Sequence, residues 1–172
     1  MEHSTRQSFM PLHCRGVAAV ILKKEAGIYR LLLIRRADSF EGAWCYVAGK
    51  IEKGEKAWQA VLREIKEETN LVPSALYSAD IFEQFYEPAR ESIWVAPVFV
   101  GYITDQQKIE LNEEHSDFGW FTMEEARQTV AFPAQRTILK HIEQEFVQRE
   151  PCHWLKIDTG GWMAPGNGDN CE

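Results

Sequence analysis

The chain has 172 residues, 45% of them hydrophobic, and a formal net charge of −7. That length fits one domain with its own core, and the excess of acid argues against nucleic acid polymers or an anionic membrane surface as partners. No apolar run reaches a membrane span, the start lacks a signal-peptide core, and Cys14, Cys45, Cys152 and Cys171 are too scattered for a zinc site or disulfide framework, so a cytoplasmic protein with reduced thiols is expected.

Residues 1–13 are polar and mixed and read as a flexible N-terminal arm. Val17–Leu22 and Leu31–Ile34 are apolar at nearly every position and are joined by a turn containing Gly27. This predicts a hairpin in a sheet covered on both faces. Arg35 and Arg36 close the second strand, either facing water or reaching a phosphate. Trp44–Val47 is a short apolar run leading into Ala48 and Gly49, with Trp44 either packed in the core or lining a pocket.

A loop punctuated by Gly49 and Gly54 then gives way to a helix predicted from Lys56 to Leu71. At about 100° per residue, Trp58, Val61, Leu62 and Ile65 form one apolar stripe. Glu64 and Glu68 lie one turn apart on its flank, with Glu67 nearby. Ala57 and Ala60 share that flank and leave room for something to approach. Like charges at this spacing repel by a few tenths of a kcal/mol per pair, which a divalent cation would relieve. A solvated acidic face is the plain alternative for such a cluster.

Pro73 stops the helix, and residues 75–87 and 91–103 read as two long strands. The second is apolar on both faces and so belongs inside the sheet, although Pro97 there demands an edge or a bulge. Phe82, Phe85 and Tyr86 are expected to pack, with stacking on a base as the other possibility. Residues 106–115 form a charged loop containing Glu113 and Glu114, and Phe118–Phe121 a short strand. Thr122 and Glu125 make a capping box for a small helix, and Pro133 opens a longer one with Ile138, Leu139, Ile142, Phe146 and Val147 buried. Residues 14–149 are thus the domain. Residues 150–172 form a glycine-rich tail whose Trp154, Leu155, Ile157 and Trp162 suit packing on the body or on a second subunit, a possible homodimer.

Gly49, five residues, Glu55, seven residues, then Arg63-Glu64-Ile65, Glu67-Glu68 and Asn70-Leu71 resemble the signature of the Nudix hydrolases. The one departure is Asn70 in place of glycine, at a helix end that favours a left-handed residue, where Asn is the next choice. The resemblance implies an α/β sandwich, α/β/α around a mixed sheet, over residues 14–148. It also implies Mg²⁺ or Mn²⁺ held by Glu64 and Glu68, with Glu67 as a ligand or outer partner and the Ala48 carbonyl in support. Arg63, Glu55, Gly49, Gly54 and Asn70 would shape the motif. Arg35, Arg36 and Lys50 are candidates for binding substrate. The catalytic base would be a glutamate of the signature or one of Glu113 and Glu114. Trp44–Glu55, Glu91–Trp94 and Glu114-His115 before Gly119-Trp120 resemble the branch acting on dihydroneopterin triphosphate and dATP, which favours Glu114 as a metal ligand.

The expected reaction is metal-dependent hydrolysis of a nucleoside or pterin triphosphate to monophosphate and pyrophosphate. The alternatives are a dinucleoside or nucleotide-sugar diphosphate as substrate, a binding module without catalysis, and an interaction protein whose tail docks a partner.

Overall fold

The computed structural model describes residues 9–38, 40–104 and 106–160. In chain order the elements are β1 (Leu12–His13), β2 (Gly16–Glu25), β3 (Ile28–Arg36), β4 (Trp44–Cys45), β5 (Val47–Lys50), α1 (Ala57–Thr69), β6 (Ala75–Glu87), β7 (Ser92–Ile103), β8 (His115–Phe121), α2 (Met123–Thr129) and α3 (Pro133–Ile142). The class is α/β, with a mixed sheet.

Alternation along the hairpin sets the layers. Val17, Ala19, Ile21, Leu32 and Ile34 face α1, where they meet Val61, Leu62 and Ile65. Ala18, Val20, Leu22, Leu31 and Leu33 face the other way, toward Met123 and Ala126 of α2 and Ile138, Leu139 and Ile142 of α3. Burying each such aliphatic side chain contributes roughly 1.5–3 kcal/mol, which far outweighs the mutual repulsion of the helix acids. β7 runs parallel to β2 on one edge and antiparallel to β6 on the other. β3 pairs antiparallel with β2 and β8, and β5 pairs with the start of β2. The demand made by Pro97 is met by an irregularity in β6 between Ser78 and Phe82, where Asp80 has φ 53°.

Several details differ from the sequence reading. The arm's last residues are ordered: β1 lies parallel to β7, and Ile93 N–H donates to Pro11 O at 2.9 Å. Residues 1–8 lie outside the described residues. Ala60 is fully buried in the core, so it leaves no room on the acidic flank. Phe82, Phe85 and Tyr86 are 59%, 52% and 46% exposed and so are not buried as expected, although Phe85 stacks on Trp94.

The last helix ends in a π-helical turn, Glu143–Val147, that buries Phe146. Beyond it the chain returns to the body: Ile157 N–H donates to Leu76 O at 2.9 Å, and Leu155 and Ile157 each join a core cluster. Trp154 stays exposed, and Trp162 and Cys171 lie outside the described residues. Among the described residues no helix is long and apolar enough to cross a membrane.

Candidate active site

The loop between β5 and α1 folds back on the helix around one guanidinium. Arg63, 9% exposed, donates through Nε and Nη2 to the two oxygens of Glu55, at 3.0 and 3.1 Å. Its Nη1 reaches Glu64 Oε1 and Glu67 Oε2, each at 3.0 Å, and Nη2 also reaches the Lys50 carbonyl at 2.8 Å. Glu55 Oε2 further accepts from the Glu52 N–H. Planar, bidentate pairing of this kind fixes direction as well as charge. The hydrogen bonds to Glu55, and after them the charge of Glu64, push the Arg63 pKa up, outweighing burial, which lowers it.

Glu64 is placed by contacts that all fall on Oε1: the Arg63 guanidinium and the Lys50 N–H, the latter at 3.1 Å. Gly49 has a reason the spacing alone did not reveal. A Cβ there would stand 1.9 Å from the Glu64 carboxyl carbon, so the site needs close approach at Gly49 rather than an unusual backbone angle. Gly54 does take a left-handed conformation, φ 85°, and Asn70 does so at the end of α1 with φ 61°. Asn70 N–H closes the last turn onto Lys66 O.

Glu68 is different. It is 4% exposed, and its Oε2 is buried with no hydrogen-bond partner. Burial, then the charges of Glu64 and Glu114, push its pKa up to about 9, against the smaller opposing effects of Arg36 and the Ala48 N–H. Glu64 is also raised, by burial ahead of the relief from Arg63.

Both Glu113 and Glu114 are exposed, but only Glu114 comes near enough to act on Glu68. Asn112 sets this loop: its Oδ1 accepts from Glu114 N–H at 3.2 Å and lies 3.0 Å from His115 Nδ1. The Asn two residues before the acid is an Asx-turn pattern that could have been read from sequence and was missed.

The basic candidates separate. Arg36 stands near Glu68, Cys45 and His115, and near Asp38 at 3.5 Å. Arg35 leans away to the Gly42 carbonyl. Lys50 serves through its backbone, with an exposed side chain. Trp44 is half-buried and meets Phe121 edge-on at 5.5 Å, which makes it packing.

The donor set suits a hard divalent cation: it is made of carboxylates, one of them with an orphaned buried oxygen, and burial first and neighbouring carboxylates second raise both Glu64 and Glu68. Among the described residues no three acidic, His or Cys side chains already converge on a common point that would hold an ion.

The NUDIX domain family model matches residues 12–142. The chain belongs to the Nudix hydrolase family. It is 30% identical over 105 residues to the nucleoside triphosphatase NudI of Escherichia coli O139:H28, covering 55% of this chain and 74% of that one. It is 25% identical over 127 residues to the asymmetrical bis(5'-nucleosyl)-tetraphosphatase of Caenorhabditis elegans, covering 73% and 91%. The chain spans only 35% and 37% of two other curated relatives, from Caenorhabditis elegans and Myxococcus xanthus. The E. coli dihydroneopterin triphosphate pyrophosphohydrolase superposes with a TM-score of 0.65 at 20% identity, covering 82% of this chain and 100% of that one. At that identity the likeness is one of fold.

Proposed function

We propose that this Nudix hydrolase carries out metal-dependent hydrolysis of a phosphoanhydride bond in a nucleoside or pterin triphosphate, releasing monophosphate and pyrophosphate. The observation that carries the reading is the buried, unpartnered Oε2 of Glu68 beside Glu64 and Glu114. A folded protein retains so costly an arrangement when a ligand completes it.

Glu64 and Glu68 would hold Mg²⁺ or Mn²⁺, with Glu67, Glu114 and the Ala48 carbonyl as further donors. Bound there, the ion supplies neutralisation of phosphate charge and a more acidic water. Arg63 keeps Glu64 and Glu67 turned toward the same side. Arg36, which stands near Glu68, would meet a phosphate oxygen in preference to Arg35, whose guanidinium turns to the Gly42 carbonyl. A signature glutamate or Glu114 takes the proton of the attacking water as its oxygen bonds to phosphorus and the bridging P–O bond breaks.

The nucleoside triphosphatase relative supports a triphosphate substrate. A dinucleoside polyphosphate is the second reading, favoured by the tetraphosphatase relative, 91% of whose length is covered. The retention of every signature acid speaks against a module that binds without hydrolysis.

A panel of (deoxy)nucleoside triphosphates, dinucleoside polyphosphates and dihydroneopterin triphosphate, incubated with Mg²⁺ and resolved by chromatography, separates these readings. Glu68→Gln is expected to lower turnover by about three decades, in line with loss of a group that stabilises developing charge. Turnover of that variant within tenfold of the parent would overturn the proposal.

A further inference from the structure

A second group of polar side chains lies on the face of the sheet opposite α1. Tyr46, between β4 and β5, and Gln135 on α3 are 1% and 5% exposed, yet the Tyr46 hydroxyl and Gln135 Oε1 are both buried without a hydrogen-bond partner. Glu83 of β6 stands beside them. Burial raises its pKa, and Tyr46 and Gln135 are near enough to ease its ionisation without completing a well-formed bond. Buried polar atoms are almost always satisfied. Two such atoms beside the partly buried carboxyl of Glu83, the Tyr46 hydroxyl and Gln135 Oε1, mark a place where something else supplies the partners.

Their surroundings say what shape that partner has. Glu83 and Phe85 project from the same face of β6, and Phe85 lies opposite Trp94 with the two rings parallel to within 7° and centroids 6.4 Å apart. Phe85 is half exposed, and Trp94 is pinned through Nε1 to Glu87 Oε2 at 2.6 Å. A flat apolar surface therefore borders the polar group, the arrangement that receives a planar heterocycle. Cys45, next to Tyr46, lies within electrostatic reach of both Glu68 and Glu83. The polar group is accordingly a neighbour of the acidic site.

The available atoms are mostly acceptors: two carboxylate oxygens and an amide oxygen, with one hydroxyl that can turn either way. A carboxylate is matched by two adjacent N–H donors in one plane. Adenine, cytosine and uracil offer a single donor beside an acceptor on their pairing edges. The 2-amino-4-oxopyrimidine edge of guanine offers a ring N–H next to an amino group, and the pterin ring carries the same edge. We propose that Glu83, with Tyr46 and Gln135, reads the 2-amino-4-oxopyrimidine edge of the substrate's ring, whether guanine or pterin. This rests on the hydrolase reading, which places the phosphates at Glu64 and Glu68.

The test compares GTP, ITP, which lacks only the 2-amino group, ATP and dihydroneopterin triphosphate with the full chain in Mg²⁺. The expected result is a kcat/KM for GTP or the pterin at least tenfold above those for ITP and ATP, and the preferred one identifies the source of the ring. Glu83→Gln should raise KM for GTP about tenfold and bring GTP and ITP to within twofold of each other. Gln135→Leu, which leaves no orphaned oxygen, should narrow the same ratio and keeps the test open if Glu83→Gln does not fold. Equal use of GTP and ITP by a parent that does not prefer the pterin either, or a preference untouched by both variants, would overturn the proposal and leave buried water as the occupant. If no triphosphate is cleaved, the hydrolase reading fails on its own. Calorimetric titration of GDP against IDP then decides this one: a preference lost in Glu83→Gln upholds it, and no preference overturns it.

Discussion

Arg63 and Glu68 stand little more than a turn apart on one helix in opposite electrostatic circumstances. Around Arg63 each carboxylate has a hydrogen-bonding nitrogen, with Glu55 on two and Glu64 and Glu67 on a third. At Glu68 a carboxyl is buried against two more carboxylates, with an oxygen left unpaired. The first arrangement is a scaffold, and the second leaves a buried carboxyl oxygen with no protein partner. The contrast explains why a motif so rich in acid folds at all. One arginine gathers the acids that shape the loop, and the repulsion is concentrated on the residue that a cation would reward.

Removing the scaffold should do the greatest damage. Arg63→Ala leaves Glu55 and Glu64, whose side chains are 15% and 14% exposed, without their partner. Truncating one side of a buried ion pair typically costs about 3–5 kcal/mol. Urea unfolding should report a loss of that order, and Arg63→Lys should recover little, since it cannot span Glu55 bidentately. A loss below about 1 kcal/mol would mean that the network is decorative.

Gly49→Ala acts on the link between the two regions. The added Cβ meets the flexible end of Glu64, so the carboxylate can swing away at modest cost to the fold but gives up its bonds to Arg63 and Lys50. Turnover should fall about a hundredfold, roughly 2.7 kcal/mol in the barrier, while the melting temperature moves by only a few degrees. Comparable losses in both would show Gly49 to be a folding residue.

The parts that could be read along the chain are those fixed by local pattern. Continuous apolar runs announced the doubly covered hairpin, Thr122 and Glu125 close their capping box as spaced, and Asn70 turns left-handed where a helix must end. The spacing of Glu64 and Glu68 put them on one face for the same reason. What stayed hidden was set by contacts distant in sequence. Gly49 is small because Glu64 arrives there. Ala60 is small because the sheet does. Tyr46, Glu83 and Gln135 share no local pattern at all, and only the packing of β6 and α3 brings them together.

Acid and alkali should act on the two regions with opposite sign. For Glu55, burial works against ionisation, but the Arg63 and Glu52 hydrogen bonds outweigh it and hold the pKa below its ordinary 4.5. Its contribution is present above the unfolded value and is lost as pH falls through the lower folded one. For Glu68 the folded pKa is about 9 against 4.5. Between those values the unfolded chain has released a proton that the native state keeps, so stability falls as pH rises. The slope is at most about 1.4 kcal/mol per pH unit. Unfolding in a chelator between pH 5 and 9 should show that decline, and saturating Mg²⁺ should flatten it. A chelated protein whose stability rises steadily over this range would remove the distinction between the two regions.

The smallest effect belongs to the turn that carries Glu68. Asn70 holds φ 61° and ψ 11°, and its side chain meets Lys66 and Glu110. Glycine in its place removes the Cβ penalty of the left-handed region and forfeits those contacts, so Asn70→Gly should change stability by less than about 1 kcal/mol. Valine, which resists that conformation, should cost about 1–2 kcal/mol. The informative measurement is again the slope with pH in chelator. Asn70→Gly keeps the helix end and should leave the slope of the parent intact. A slope abolished by so mild a change would mean that the burial of Glu68 depends on how the helix ends, and not on the sheet packed against it.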